Sequence, residues 1–182
     1  MNNRLYRNCL LLLLTVLLAG LTDRMQAQTR NRQSVHTNSY DVPPAVPEML
    51  VFAGDTIRFD RADLRERMDR ELIAFSYMHT NSNLVIKRAN RLFPVVEPIL
   101  KEYGIPDDLK YLMVIESNLD PKSLSSAGAA GLWQFVQSTG REYGLEVNAN
   151  IDERYNTKKA TVAACKYLAE AYQKYGNWMT VA

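Results

Sequence analysis

Cysteine and histidine are both scarce in this chain, two of each in 182 residues, and that scarcity removes several chemistries. Cys9 lies in the apolar start and Cys165 near the end. Once the start is removed, Cys165 has no partner for an internal disulfide. Its helical neighbours are apolar, so we read it as a small core residue. His36 and His79 are far apart and lack cysteine or carboxylate partners at ligand spacing, so we expect no metal site and no cofactor. Net charge is scarce too. Residues 1–27 hold Arg4, Arg7, Arg24 and Asp23, and taking them from 22 basic and 20 acidic residues leaves 19 of each. A neutral chain offers no electrostatic case for nucleic acid or an anionic lipid surface. The apolar run Cys9–Leu21 is too short to span a membrane, and no segment alternates convincingly as a strand.

What is present begins with an export signal. Arg4 and Arg7 precede the apolar run, and Met25-Gln26-Ala27 offers a cleavage site before Gln28. We therefore expect a signal peptide over 1–27 and a protein of the bacterial periplasm or cell envelope. Association with a membrane stays open, but Cys9 precedes most of the apolar run and is badly placed as a lipid anchor. Residues 28–58 read as a tether: TRNRQSVHTNSY is polar and VPPAVP is rich in proline.

From Asp60 the pattern becomes helical, and at 47% hydrophobic the chain can build a sizeable core. Leu64, Met68, Leu72 and Phe75 form one stripe, with Asp63/Arg67 and Glu66/Arg70 paired four apart on the outer face. Leu92, Val95, Val96, Ile99 and Leu100 form another, where Pro94 and Pro98 predict a kink or two short helices. Gly104 ends it and Pro106-Asp107-Asp108 starts the next. We expect helix to resume over Leu132–Tyr143. Asn156 or Thr157 caps a last long helix to Tyr175, with Cys165, Leu168, Tyr172 and Tyr175 as its core stripe. The fold class is mostly α.

One position breaks the rule of these stripes. Ile105, Leu109, Leu112 and Met113 share a face, and the next residue on it is Glu116. A carboxylate there faces the core or a cleft, and the cost of burying it points to a task. After it come a loop of small residues and an apolar-aromatic segment with one amide, Gln134. A glycan cleft needs such parts. A desolvated carboxyl can keep a proton and give it to a leaving oxygen. Small residues let a sugar approach the backbone, and an amide offers both donor and acceptor to an N-acetyl group. Asp120, before Pro121, suits a turn, and Asp152-Glu153-Arg154 reads as an ion-paired loop brace.

IESNLDPKSLSSAGAAGLWQF at 115–135, YGLEVNANIDERYN at 143–156 and AACKYLAEAYQKYGNW at 163–178 together resemble the lytic transglycosylases of the soluble-lytic-transglycosylase superfamily. The likeness runs from about residue 59 to 182 and is nearest to the membrane-bound lytic murein transglycosylase D group. The resemblance implies a lysozyme-like (goose-type) helical domain acting on peptidoglycan glycan strands. It makes Glu116 the single catalytic acid/base and places Ser117, Ser125, Gln134, Trp133 and Val136 in or beside the cleft. It implies cleavage of the bond from N-acetylmuramic acid to N-acetylglucosamine without water, closing a 1,6-anhydro ring. Two other readings stay open: a muramidase that hydrolyses the same bond, and a non-catalytic glycan-binding module. The second arises because the family's pattern continues beyond Trp178 with an Ala-Tyr-Asn type motif, whereas this sequence stops at Ala182. We therefore expect the lysozyme-like domain to be incomplete at its C-terminus.

Overall fold

Leu50 and Phe52 turn inward while Met49 and Val51 are exposed, and Ile57 turns inward between exposed Thr56 and Arg58. That alternation belongs to a small two-stranded sheet, β1 (Met49–Phe52) and β2 (Asp55–Arg58). The computed structural model describes residues 43–182; the expected signal, Cys9, His36 and the first part of the tether lie outside them. The hairpin departs from the tether reading over 49–58. Its two-residue loop, Ala53-Gly54, has positive φ at both positions, 50° and 90°, as a primed turn requires. Ala-Gly lacks the Asn-Gly signature of such turns, so the sequence does not announce it.

The described chain divides into two compact units. The first holds the hairpin except its tip, and the helix α1 (Ala62–Tyr77). Its core is Phe59, Met68 and Leu72, with Val46, Leu50, Ile57 and Leu64 packed around it. Met68 and Leu72 are wholly buried, as the stripe predicts. Glu66 pairs with Arg70 at 3.5 Å on the exposed face.

The second unit comprises Ala53–Asp55 and Leu84–Ala182. It takes most of α2 (His79–Glu102), whose buried face is Val85, Ala89, Leu92, Val96 and Leu100. Pro94 and Pro98 lie inside this one helix and do not divide it in two. They sit four apart on an exposed face, where the carbonyls that lose their partner can turn to water. A 3-10 turn (Asp107–Tyr111) leads into α3 (Leu112–Ser117). Lys110 is buried here, held by the carboxylates of Glu97 at 2.6 Å and of Asp107, with its ammonium beside the rings of Phe93 and Tyr111. Burial pulls its pKa down, but the two carboxylates prevail and hold it above the usual lysine value.

Helix does not resume at Leu132. Residues 131–136 form turns with isolated bridges, Leu124 to Ala130 and Ala130 to Phe135, and α4 spans only Gln137–Glu142. Gln134 has φ 48°, which a helix through this point cannot contain. The last long helix, α5 (Thr157–Tyr175), starts at the Asn156 cap, whose side chain accepts the Lys159 N–H at 3.1 Å, and ends at Gly176 with φ 67°. Its buried face is small: Ala160, Thr161, Ala163, Ala164, Cys165 and Leu168. The tyrosines are not core residues. Tyr167, Tyr172 and Tyr175 are 37–52% exposed, because a face lined with alanine seats the helix closely and leaves large rings at the margins. They pack ring to ring instead, Tyr143 edge-on to Tyr167 and Tyr172 stacked on Trp178 of α6 (Trp178–Val181). Cys165 is fully buried, and burial pushes its thiol up to about 12, so it is inert packing.

Candidate active site

Six residues long, α3 would not stand alone in water. It is held by burial of Leu112, Met113 and Val114, each contributing about 1.5–3 kcal/mol. Its last turn carries Glu116, half-buried where its stripe neighbours are fully buried. The helix then stops abruptly. Asn118 and Leu119 both take left-handed backbone, φ 51° and 55°, at a cost of about 1–2 kcal/mol per ordinary residue. Leu119 is completely buried, and its ~1.5–3 kcal/mol of burial offsets that cost. From α2, Arg88 clamps the reversal, donating to the Asn118 carbonyl at 3.0 Å and to the Asp120 carboxylate at 2.9 Å. Asp120 also accepts the Lys122 N–H, the turn role its place before proline suggests.

Ser117 is buried, and its hydroxyl lies 2.8 Å from the Met113 carbonyl and 3.0 Å from that of Leu132. It thereby ties the helix end beside Glu116 to the far limb of the loop. Ser125 closes a tight turn: its N–H donates to the Ala129 carbonyl at 2.8 Å and its Oγ accepts the Ala129 N–H at 3.0 Å. Ser126, Ala127 and Gly128 are exposed within that turn, and Leu124 at its base is 64% exposed.

Gln134 is half-buried and its orientation is settled by chemistry. Its Nε2 donates to the carbonyls of Gly131 at 2.9 Å and Ser123 at 3.3 Å, and only the NH2 end can satisfy two carbonyl oxygens. Trp133 turns its indole N–H to the Thr161 hydroxyl on α5 at 3.0 Å. Its ring packs beside Phe135, Leu145, Val147, Ala163 and Ala164. Val136 precedes α4 and is 38% exposed. Ser125, Trp133, Gln134 and Val136 therefore all belong to one braced loop that starts just after α3, and Ser117, the last residue of α3, ties the helix end to it.

The brace from the opposite side is the Asp152–Arg154 pair. Arg154 is buried and bonded to Asp152 through two nitrogens, at 2.9 and 2.6 Å. Hydrogen bonding to that guanidinium holds the Asp152 carboxyl below the usual carboxylate range. The adjoining Lys159–Glu153 ion pair completes the brace. Arg88, Thr161 and Leu124 were not evident from sequence; Arg88 and Asp120 are 32 residues apart, Trp133 and Thr161 28, and no local pattern pairs them. Among the described residues, no group of three or more His, Cys, Asp or Glu side chains is placed to hold a metal ion.

A mostly helical domain with a half-buried carboxylate at the end of an apolar helix, followed by a braced loop of small residues, is lysozyme-like in class. Residues 95–182, just under half of the chain, match the transglycosylase SLT domain. It is 32% identical over 140 residues to the membrane-bound lytic murein transglycosylase D of Escherichia coli K12 and, equally, to that of Escherichia coli O6:H1 strain CFT073. The matched stretch is 74% of this chain and 30% of each relative, so the chain spans about a third of the length of the curated relatives it matches.

Proposed function

We propose that this chain is a peptidoglycan lytic transglycosylase with Glu116 as its single general acid/base. The observation that carries the reading is the placement of Glu116, half-buried on an apolar helix end and inside the stretch matched to the SLT domain. In the acid form Glu116 protonates the oxygen between N-acetylmuramic acid and N-acetylglucosamine. The substrate's own acetamido group stabilises the developing cation, a role that a second carboxylate takes in most glycosidases. Glu116 then accepts the proton of the muramic acid O6 hydroxyl as that oxygen bonds to the anomeric carbon. The proton count closes and no water is consumed.

In this account the loop supplies the binding surface. Gln134, its NH2 committed to backbone carbonyls, offers Oε1 to an N–H or O–H of the sugar. Small exposed residues around Ser125 admit a bulky ring, Val136 adds apolar lining, and Ser117 and Trp133 hold the walls in place. We further propose export through a signal over 1–27, a tether from residue 28 whose last part is the hairpin, a catalytic domain to 182, and a place in the periplasm or cell envelope. No helix among the described residues is long and apolar enough to cross a membrane.

The test is digestion of purified peptidoglycan by the chain and by its Glu116→Gln twin, read by mass spectrometry. We expect anhydro-ended fragments from the wild type and a loss of about 100-fold or more in the twin, the scale of removing a general acid. Reducing ends would make the protein a muramidase. A folded chain that binds strands but releases no fragments would be a binding module.

A further inference from the structure

Arg154 is the most deeply buried charged residue among those described, 3% exposed, and four of its five guanidinium N–H donors are engaged. Nε and Nη2 donate to the Asp152 carboxylate. Nη1 donates to the carbonyls of Gly128 at 2.7 Å and Phe135 at 2.9 Å, the two ends of the limb that carries Gln134. A third grip comes from the backbone: a Cβ added to Gly131 would lie 1.9 Å from the Arg154 carbonyl oxygen. One residue thus touches the limb at 128, 131 and 135. Between these grips Gln134 is held at φ 48°, its N–H and Nε2 both turned to the Gly131 carbonyl.

A brace needed only for stability could hold the limb at one point. Three grips around one left-handed residue define that residue's direction. We propose that Arg154, oriented by Asp152, is the positioning residue that aims Gln134 at the glycan. The proposal rests on the glycan-cleaving reading above. Lysine cannot replace it, because a single ammonium lacks the planar fork that serves a carboxylate and two carbonyls at once.

The experiment uses the full chain in a Glu116→Gln background, so that binding is read without turnover. Affinity for a short N-acetylglucosamine oligomer is measured by calorimetry, and hydrogen exchange is followed over 124–136 and over α5. We expect Arg154→Lys to weaken binding about tenfold and to speed exchange over 124–136 while α5 stays protected. Asp152→Asn, which leaves the arginine in place but releases its orientation, is the second variant should the first fail to fold, and we expect the same pattern in smaller degree. The deciding arm is a double-mutant cycle with Gln134→Ala. If Arg154 acts through Gln134, Arg154→Lys costs no further affinity once Gln134 is alanine; additive losses would overturn the proposal and leave Arg154 a stabilising brace. Unchanged exchange and binding in a folded Arg154→Lys chain would overturn it as well. A parent that binds no oligomer overturns the glycan reading itself, and the exchange arm then decides alone whether Arg154 holds the limb.

Discussion

At Gly131 an added methyl group would collide with the Arg154 carbonyl oxygen, and the backbone there has φ 74°. Gly131→Ala therefore meets two penalties. The left-handed backbone alone costs at least about 1 kcal/mol, and separating the two backbone segments adds to it. We expect a lower denaturant midpoint with an unchanged slope, checked by urea unfolding; a midpoint equal to wild type would contradict the close approach. Asp152 makes a second residue-scale prediction, with its sign fixed by Arg154. Its folded pKa is lowered, first by the hydrogen bond from Arg154, with the Arg141 charge acting in the same sense. Stability from this carboxylate is therefore present above its unfolded pKa of about 3.9 and lost as pH falls through the lower folded value. The stability gap between wild type and Asp152→Asn should be constant from pH 7 down to about 5 and close below that. A gap that persists unchanged in acid would show that the ion pair is not its source.

Among the elements, α5 is the one whose ends are most plainly encoded. Asn156 caps it and Gly176 stops it; the sequence narrowed the cap to Asn156 or Thr157 and placed the end at Tyr175, because each is a local signal with a local cause. Asn156→Ala should cost about 1 kcal/mol and Asn156→Asp almost nothing, a contrast that thermal melts resolve. In α3, Met113 is wholly buried, and Met113→Ala should cost about 2–5 kcal/mol while leaving Glu116 itself intact. The stripes of α1, α2 and α3 were legible for the same reason as the caps: their period is written in consecutive turns. What was not legible has physical causes too. The hairpin turns on Ala53-Gly54, a pair without the Asn-Gly signature, and the Asp108 carboxylate, 55 residues away, accepts the Ala53 N–H at 2.8 Å. Pro94 and Pro98 suggested a break, yet both fall on the water-facing side of α2, where a lost hydrogen bond is tolerated. Leu132–Val136 carries helical composition, but Gln134 is bent into the left-handed region by contacts to Ser123 and Gly131. The tyrosines of α5 continued a core stripe in the sequence and half-surface in the fold, since apolar period does not say how far the cover extends.

At the scale of the whole molecule, Glu116 and the loop after it stood out in the sequence because an acid on an apolar stripe is a local anomaly, followed by a motif with fixed spacing. The clamps that shape the site, Arg88 on Asp120 and Thr161 on Trp133, join distant segments and become visible only in the fold. The charge balance also acts at this scale. With the proposed signal removed, 19 residues of each sign remain from Gln28 onward, and such a chain has no net charge to steer it to its substrate. Raising the salt until the Debye length falls from about 10 Å to about 3 Å should change the initial rate of strand cleavage little; a steep fall would point to charged contacts this account lacks. The central claim is that O6 of the muramic acid, not water, closes on the anomeric carbon under the control of Glu116. Digestion of peptidoglycan in heavy-oxygen water tests it most directly. The account predicts anhydro ends that carry no label, and none from Glu116→Gln. Labelled reducing ends, or unlabelled anhydro ends still made at the wild-type rate by Glu116→Gln, would contradict it.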